Sequence, residues 1–303
     1  MAGIAFIGLG NMGGPMSANL VKAGFQVTGF DLNPEAVGMA RAAGVTIAES
    51  ARAAVRGCDT VITMLPTGRH VKAVFDDIVA DMAPGTLFID SSTIDVETAR
   101  ELERLCIERG LQCLDAPVSG GAVGAQAATL TFMVGGSEEA FERSKPILAG
   151  MGKRQIHCGK AGSGQAAKIC NNMITGISMV AVSEAFLLAQ KLELSPQALF
   201  DVVSTSSGNC WALSTYCPWP GILPATPSTH NYKPGFALDL MLKDMRLAQD
   251  AVTKNGSVSF VGAVAAQVYA LYSAMGHGNE DYSAVMKLLQ GLAEEQASGD
   301  ARS

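Results

Sequence analysis

A glycine-rich turn close to the first residue constrains the fold of this chain more than any other feature of its sequence. An apolar run at residues 4–7 leads directly into a G-x-G-x-x-G pattern, and an amphipathic helical pattern follows at residues 12–23. The pattern is formed by Gly8, Leu9, Gly10, Asn11, Met12 and Gly13. After a strand and before a helix, such glycines permit a tight turn, close approach to a pyrophosphate, and close helix–strand packing. The motif predicts a dinucleotide site, and a glycine-rich turn without a ligand is the alternative.

An acidic residue after the second apolar run strengthens the dinucleotide interpretation. Asp31 follows the run at residues 26–30 and lies about 20 residues beyond the motif, where a carboxylate hydrogen-bonds the adenosine ribose 2′-hydroxyl. A carboxylate at this position would repel a 2′-phosphate, and Leu32, Asn33 and Pro34 follow it instead of an arginine. We therefore predict a nicotinamide dinucleotide site that prefers NAD(H) to NADP(H).

Strand-like and helix-like segments alternate in the first half of the 303-residue chain. Alternation of this kind predicts an α/β fold, with a Rossmann-type, doubly wound and mainly parallel sheet. The expected strands lie at residues 4–7, 26–30, 60–65, 86–89, 112–114 and 130–134. The helical patterns between them include residues 12–23 and 96–108.

A long helical pattern at residues 165–191 begins the second half of the chain, in which strand patterns are weak. Further helical patterns lie near residues 196–206, 236–254, 259–275 and 281–295. We predict an NAD-binding domain at residues 1–162, joined by the long helix to an all-helical substrate and oligomerisation domain at residues 163–303. The apolar surface of these helices suggests a homodimer or homotetramer, and a core within one domain is the alternative.

A proline-rich stretch interrupts the helical half. Five of the twelve prolines lie between positions 218 and 234, which excludes a regular helix there. A lid over a binding site and an ordinary surface loop both fit this composition.

The composition excludes several classes of function. Only 17% of the residues are charged and the net charge is −6, so nucleic acid and membrane surfaces are poor candidate partners. Seven cysteines without a C-x-x-C pair fit neither a disulfide framework nor a cysteine zinc site, and the four histidines lie in separate segments. We expect no metal and a reducing, cytoplasmic location, because no targeting segment is visible. The longest apolar stretch, residues 173–189, falls short of the ~20 residues of a membrane span, and we predict that it is a buried core helix.

Further candidate ligands follow other expected strands, since doubly wound sheets bind ligands at the carboxyl ends of their strands. Leu65 and Pro66 follow one strand, and Ser91, Ser92 and Thr93 follow the next. Ordinary turn and helix-cap chemistry explains these residues equally well.

The residues at positions 115–121 read DAPVSGG and follow another short strand. Successive backbone N–H groups around Ser119, Gly120 and Gly121 can form a nest for an anion, with the Ser119 hydroxyl as a further donor. A substrate carboxylate would suit such a nest. A flexible turn is the alternative.

A lysine lies on the otherwise apolar first turns of the long helix. Lys168 shares a helix face with Gln165 and Asn172, because residues three and four apart are neighbours on a helix. Burial disfavours a charged ammonium, which suits this lysine for proton exchange with a hydroxyl beside a nicotinamide. A lysine that extends to the domain edge or pairs with a carboxylate is the alternative.

Four motifs, in this order, resemble those of the β-hydroxyacid dehydrogenase family along essentially the whole chain. They lie at residues 8–13, 115–121, 164–172 and 243–244. Two further stretches, residues 206–213 and 218–221, resemble the 3-hydroxyisobutyrate dehydrogenase branch. The chain departs from the family at Ala128, where a glycine is usual, and alanine reaches positive φ less easily than glycine. The 6-phosphogluconate dehydrogenase branch is disfavoured because Asn171 stands where that branch has a histidine.

The resemblance implies a role for each motif residue. Lys168 would be the catalytic lysine. Substrate would be held or lined by Ser119, Gly120, Gly121, Asn172, Trp211, Phe236 and Asp244. NAD would be bound by the glycine motif and Asp31, together with Leu65, Pro66, Thr93 and Lys243.

The resemblance also implies a reaction, the reversible transfer of a hydride between 3-hydroxy-2-methylpropanoate and NAD in valine catabolism. A neighbouring β-hydroxy acid such as L-serine, D-glycerate or 3-hydroxypropanoate stays open as the substrate, because one methyl group gives only ~1–3 kcal/mol of discrimination. A dinucleotide-sensing binding protein without turnover is an alternative of a different class, since a fold does not fix a function.

Overall fold

The computed structural model describes residues 3–300, with side chains described from residue 3 to residue 293. The chain divides into two compact units, unit 1 ending at Lys168 and unit 2 beginning at Ile169. The boundary that we predicted, after Gly162, precedes this division. The difference arises because the backbone amides of Gly162 and Gln165 donate hydrogen bonds of 2.7 and 2.8 Å to the Asp115 carboxylate of unit 1.

Unit 1 is built on a nine-stranded sheet. Its strands are β1 (Gly3–Ile7), β2 (Gln26–Phe30), β3 (Thr46–Ile47), β4 (Thr60–Thr63), β5 (Leu87–Asp90), β6 (Gln112–Asp115), β7 (Val118–Ser119), β8 (Leu130–Gly136) and β9 (Gly152–Gly159). Strands β1 to β6 are parallel and lie in the order β3-β2-β1-β4-β5-β6. The order reverses between β1 and β4, and such a reversal creates a ligand-binding crevice at the carboxyl ends of the strands.

The end of the sheet departs from the parallel pattern. Strands β6 and β7 pair antiparallel with successive parts of β8, and β9 pairs parallel with β8. The Pro117 carbonyl, between β6 and β7, accepts a 3.0 Å hydrogen bond from the Met133 amide, so β6 and β7 form one interrupted strand along β8. The sequence patterns had not predicted β3, β7 or β9.

Helices cover both faces of the sheet. They are α1 (Gly13–Lys22), α2 (Pro34–Ala42), α3 (Ala51–Val55), α4 (Gly68–Ile78), α5 (Val96–Glu108), α6 (Gly121–Gln126) and α7 (Glu138–Ala149). Alternate residues of β1 enter different cores: Ile4 and Phe6 pack with residues of α1 and α7, whereas Ala5 and Ile7 pack with residues of α3, α4 and α5. Because both faces are covered, β4 and β5 are buried at every residue. The predicted doubly wound, mainly parallel sheet is confirmed.

Unit 2 is helical. Its helices are α8 (Ser163–Lys191), which begins in unit 1, α9 (Pro196–Ser204), α10 (Trp211–Ser214), α11 (Leu238–Lys254), α12 (Phe260–Tyr272) and α13 (Val285–Asp300). The proline-rich stretch contains one 3₁₀ turn, Pro227–His230, and no α-helix among its described residues. Side chains of α8, α11 and α12 form the core, in which the Tyr269 hydroxyl donates to the Gly176 carbonyl at 3.0 Å. The prediction of a helical second half is confirmed.

Helix α8 is long and apolar enough to cross a membrane, judged by its length and composition alone. It has 29 residues, and its most apolar 18-residue window has a mean hydropathy of 1.5, with 44% of that window buried in the structure. Met179 and Phe186 lie in the core of unit 2, and the polar Lys168 and Asn172 are also buried. These features favour our prediction of a core helix.

Ala128, which stands where the family usually has a glycine, lies in the loop after α6. Ala128 has a φ of 53°, in the left-handed region, so the loop adopts this conformation although it lacks the family's usual glycine. The alanine therefore carries a backbone strain of about 1 kcal/mol that a glycine would not carry.

We expect Ala128→Gly to stabilise the protein by about 0.5–1 kcal/mol. The substitution removes the strain of the left-handed backbone from the folded state, and this gain in free energy exceeds the entropic cost of a more flexible unfolded chain. The adjacent Ala127 has a φ of −83°, so Ala127→Gly should destabilise by about 0.5–1 kcal/mol. Urea unfolding of the two variants measures both effects. Equal destabilisation by both substitutions would contradict the strain at Ala128.

Candidate functional site

The glycine-rich turn after β1 has the geometry of a phosphate cradle. Gly8 has a φ of 96°, and a Cβ there would lie 2.3 Å from the Met64 carbonyl oxygen. A Cβ at Gly13 would lie 1.9 Å from the Gly8 carbonyl oxygen, so both positions require glycine. A Cβ at Gly10, in contrast, would have no described heavy atom beyond its neighbouring residues within 4 Å. The open space over Gly10, next to the positive N-terminus of α1, fits a pyrophosphate.

Asp31 at the end of β2 is fixed beside this turn. One carboxylate oxygen accepts a 2.6 Å hydrogen bond from the Leu9 amide, and the other accepts a 2.7 Å bond from the Asn33 amide. The following residue, Leu32, is 88% exposed. The carboxylate is therefore held at the turn by two backbone donors and keeps lone pairs for the hydroxyls of a ribose.

The loops after β4 and β5 are joined to each other and to the glycine turn. Leu65 Cδ2 lies 3.0 Å from the position of a Cβ on Gly8, and the Leu65 amide donates a 2.8 Å bond to Ser92 Oγ. These contacts place Leu65, and the exposed Pro66 after it, at the same edge of the sheet as the glycine turn. Thr93 follows Ser92 in the second loop.

A buried carboxylate lies beneath these loops at the end of β5. Asp90 accepts a 2.7 Å bond from the Thr63 hydroxyl and a 3.1 Å bond from the Ser92 amide. Burial raises the pKa of Asp90 to about 6, although hydrogen bonds from Ser92 and Thr63 oppose the shift. The bond from Thr63 therefore connects the end of β5 to the end of the neighbouring strand β4.

The first turn of α8 is hydrogen-bonded to the loop after β5 and to the end of β6. The buried Gln165 side chain donates to the Ser92 carbonyl at 2.8 Å and accepts from the Ile94 amide at 3.1 Å. Asp115 accepts from the backbone amides at the helix start, and burial raises the pKa of this carboxyl while those amides oppose the shift. Lys168, 8% exposed, follows Gln165 by three residues and so shares its helix face.

The predicted anion nest lies between strand β7 and helix α6. Ser119 ends β7 and pairs with Thr131 of β8. Gly120 has a φ of 131° and Gly121 a φ of 61°, and α6 begins at Gly121. The backbone thus passes from a strand into a helix through two successive glycines with positive φ.

In unit 2 the structure brings together three of the predicted residues. Asn172 Nδ2 donates a 2.5 Å hydrogen bond to Asp244 Oδ2, and Lys243 Nζ lies 3.2 Å from Asp244 Oδ1. Asn172 Oδ1 accepts a 2.9 Å hydrogen bond from the side-chain Nδ2 of Asn171. Asp244 therefore fixes the orientation of the Asn172 side chain.

Two other predicted residues of unit 2 lie at the ends of an aromatic stack. Trp211 stacks on Tyr216 with 4.8 Å between ring centroids, and Tyr216 stacks on Tyr282 at 5.4 Å. Phe236 meets Tyr282 edge to face at 5.8 Å. The Tyr216 hydroxyl donates a 2.8 Å bond to Asp281, which also accepts from the Phe236 amide. Sequence reasoning missed Tyr216, Tyr282 and Asp281, because no local pattern distinguishes them from core residues.

The predicted site residues thus form separate groups within each unit. In unit 1, contacts connect the glycine turn, Asp31, the loops after β4 and β5, and the first turn of α8. In unit 2, Asn172 joins Lys243 and Asp244, and Trp211 joins Phe236 through two tyrosines. Lys168 and Asn172 lie one turn apart on α8.

Family models match nearly the whole chain. Residues 3–159 match the NAD binding domain of 6-phosphogluconate dehydrogenase, and residues 162–289 match the NAD-binding domain of NADP-dependent 3-hydroxyisobutyrate dehydrogenase. Both matches describe nicotinamide dinucleotide domains, in agreement with the geometry of the glycine turn.

Relatives named for two substrates match over nearly their full length. A probable 3-hydroxyisobutyrate dehydrogenase of Mycobacterium tuberculosis is 52% identical over 97% of this chain and 100% of its own. In Pseudomonas aeruginosa, an NAD-dependent L-serine dehydrogenase is 45% identical over 95% of this chain and 98% of its own, and a 3-hydroxyisobutyrate dehydrogenase is 45% identical over 96% and 99%.

A solved structure agrees with these matches. The Mycobacterium tuberculosis 3-hydroxyisobutyrate dehydrogenase, described together with L-serine, superposes with a TM-score of 0.92 at 53% identity, over 95% of this chain and 99% of that one. Fold, cofactor domain and relatives therefore agree, and the chain belongs to the β-hydroxyacid dehydrogenase family, as an NAD-dependent enzyme that acts on the CH–OH group of a small hydroxy acid.

Proposed function

We propose that the protein is a 3-hydroxyisobutyrate dehydrogenase, which interconverts 3-hydroxy-2-methylpropanoate and its aldehyde with NAD in valine catabolism. The observation that carries this proposal is the buried Lys168 on α8, three residues after Gln165, whose side chain and backbone are hydrogen-bonded to Ser92 and Asp115 of unit 1. The resemblance at residues 206–213 and 218–221, and the 52% identity to the mycobacterial relative, support the choice of substrate.

In the proposed reaction Lys168 accepts the proton of the substrate hydroxyl. A nicotinamide bound beside it would supply the acceptor for the hydride on the carbon that carries this hydroxyl. Asn172, oriented by Asp244, donates to or accepts from the reacting oxygen. The N–H groups from Ser119 to Gly121 are proposed to hold the substrate carboxylate, and Trp211 and Phe236 are proposed as further substrate contacts. Removal of the proton and the hydride from one CH–OH group leaves the aldehyde, so atoms and charge balance.

The residues proposed to bind the dinucleotide are those of the glycine turn, Asp31 and four further positions. Gly8, Leu9, Gly10, Asn11, Met12 and Gly13 surround the pyrophosphate, and Asp31 accepts from the ribose hydroxyls. Leu65, Pro66, Thr93 and Lys243 complete the site. One matching domain model is named for an NADP-dependent enzyme. We base the preference for NAD on Asp31, because its negative charge at the glycine turn would repel the 2′-phosphate of NADP.

L-Serine is the second candidate substrate. It differs from 3-hydroxyisobutyrate only by an ammonium group in place of the methyl group on C2. The two Pseudomonas relatives have equal identity to this chain, and the similar mycobacterial structure is described with L-serine. Overall identity therefore does not separate the two substrates.

A panel of hydroxy acids tests the substrate. With saturating NAD, formation of NADH measured by absorbance should give a kcat/KM for 3-hydroxyisobutyrate about 10- to 200-fold above that for 3-hydroxypropanoate, which lacks the methyl group. L-Serine and D-glycerate should also be poorer substrates. A higher kcat/KM for L-serine would reassign the enzyme, and no NADH from any member would favour a dinucleotide sensor.

We also propose that the enzyme is a homodimer or homotetramer. Helix α12 exposes large apolar side chains along its length, namely Phe260 at 82%, Val261 at 62%, Val264 at 62% and Leu271 at 50%. Contiguous exposed apolar surface of this kind is typical of subunit contacts.

Light scattering of the purified protein tests the oligomer. The mass should be two or four times the chain mass of 31.4 kDa, and Val264→Glu should lower it by placing a charge in the contact. Val258 is 77% exposed but precedes the helix, so Val258→Glu serves as a control for added charge. A wild-type mass of one chain would contradict the proposal.

A further inference from the structure

The start of α8 carries a buried glutamine that no role in the reaction explains. The Gln165 side chain is fully buried, and both ends of its amide are used: Nε2 donates to the Ser92 carbonyl at 2.8 Å, and Oε1 accepts from the Ile94 amide at 3.1 Å. These two partners flank Thr93, a proposed ligand of the dinucleotide. The glutamine thus bridges the helix that carries Lys168 and the loop that carries Thr93.

The backbone of the same residue is fixed by a second element. The Gln165 amide donates a 2.8 Å bond to Asp115 Oδ2, and the Gly162 amide donates a 2.7 Å bond to Asp115 Oδ1. The packing here leaves no room, because a Cβ at Gly164 would lie 2.8 Å from Asp115 Oδ2 and 2.3 Å from the Met133 carbonyl oxygen. The helix start therefore cannot slide along the end of β6 without loss of these bonds.

We propose that Gln165 is a positioning residue, which sets the place of Lys168 relative to the dinucleotide loop through its bonds to Ser92 and Ile94. The inference rests on the proposed function of Lys168. Lys168 lies three residues further along α8, about 4.5 Å along the helix axis, so a shift of the first turn is transmitted directly to it. A displacement of 1 Å in a reacting pair lowers the rate by as much as about 10²-fold.

The substitution Gln165→Glu makes the bond to the Ser92 carbonyl depend on pH, whereas the bond from the Ile94 amide is kept at every pH. An ionised carboxylate accepts from Ile94 but cannot donate to the Ser92 carbonyl, whereas a protonated carboxyl does both, as the amide does. The titratable and charged groups that face this junction are Asp90 on β5, Asp115 on β6, Arg100 on α5 and Lys168 on α8. Burial and the two aspartates raise the pKa of the introduced carboxyl, whereas Arg100 and Lys168 lower it, and the pH at which it ionises is read from the kcat profile.

We expect the kcat of Gln165→Glu to be within about threefold of wild type at low pH and to fall about tenfold or more as the introduced carboxyl ionises. The KM for NAD should change less than kcat. The kinetic isotope effect on a substrate deuterated at the reacting carbon should increase, because displacement of the reacting groups slows hydride transfer. Wild-type enzyme should lack this added ionisation.

Gln155→Glu is the matched control. Gln155 on β9 also donates its side-chain amide to a backbone carbonyl, that of Gly152 at 2.9 Å, but it is not one of the proposed site residues and its bond does not reach the loop of Thr93. The same chemical change there should leave the kcat profile of wild type. Gln165→Met, which removes both bonds without a charge, should show a pH-independent loss of kcat and provides a readout if Gln165→Glu does not fold.

These measurements use whichever hydroxy acid of the panel gives the highest turnover, so an error in the proposed substrate does not affect them. A wild-type kcat and pH profile in Gln165→Glu, or a wild-type kcat in Gln165→Met, would overturn the positioning role. A lower melting temperature with unchanged kcat and isotope effect would also overturn it, because the glutamine would then act on stability alone. Retained turnover in Lys168→Ala would instead show that the proposed function of the lysine is wrong.

Discussion

Replacement of Lys168 by alanine should lower kcat by about 10²-fold or more, because general acid–base catalysis contributes about 10² to 10⁴ to such reactions. The lysine is buried on the first turns of α8, so its removal deletes the proposed proton acceptor without a change at the glycine turn. Affinity for NADH, measured by fluorescence titration, should stay within a few-fold of wild type. Turnover of hydroxyisobutyrate is followed by the absorbance of NADH.

Lys191 provides the matched control, because it is an exposed lysine at the end of the same helix. Lys191→Ala should keep wild-type turnover and NADH affinity. Near-wild-type turnover in Lys168→Ala would remove the lysine from the mechanism. Loss of NADH affinity together with turnover would indicate a role in cofactor binding instead.

The second large effect should be a change of cofactor. Asp31→Ser combined with Leu32→Arg should lower kcat/KM for NAD about tenfold or more, since hydrogen bonds to charged groups contribute about 1.5–3 kcal/mol. It should raise kcat/KM for NADP, because an arginine pairs with a 2′-phosphate. Leu32 is 88% exposed, so the arginine enters solvent and not the core. The ratio of the two kcat/KM values is the measured quantity.

The single variants divide this effect into its parts. Leu32→Arg alone keeps the Asp31 carboxylate and its bonds to the Leu9 and Asn33 amides, so NAD should remain the better cofactor. Asp31→Ser alone should weaken NAD without a large gain for NADP. An unchanged cofactor ratio in the double variant would contradict the ribose role of Asp31.

Local patterns were sufficient to predict the parts of this fold that depend on neighbouring residues. The strand at residues 26–30 and the helix at residues 96–108 are present within the predicted bounds, because burial on a sheet or one helix face repeats at short intervals. The glycine motif and Asp31 were found for the same reason, since each is defined by its place directly after a strand.

Features that depend on distant residues were not predictable from the sequence. Gln165 bonds to Ser92 and Ile94, and Tyr216 meets Tyr282, only because the folded chain brings separate segments together. The two-residue strands β3 and β7 are too short for a repeating pattern. The positive φ of Ala128 was not predictable for another reason, because the fold imposes there a backbone conformation that alanine disfavours.

The start of α8 is capped by a residue much more distant in sequence than the caps of four other helices. Helices α3, α5, α7 and α9 receive their N-terminal hydrogen bonds from Ser50, Asp95, Ser137 and Ser195, each adjacent to its helix in sequence. Such caps are available to a nascent segment. The bonds at the start of α8 come from Asp115, which lies 47 and 50 residues earlier in the chain than the two donors. The turn that precedes Lys168 is therefore held by a non-local contact, and contacts of long sequence separation are associated with slow folding.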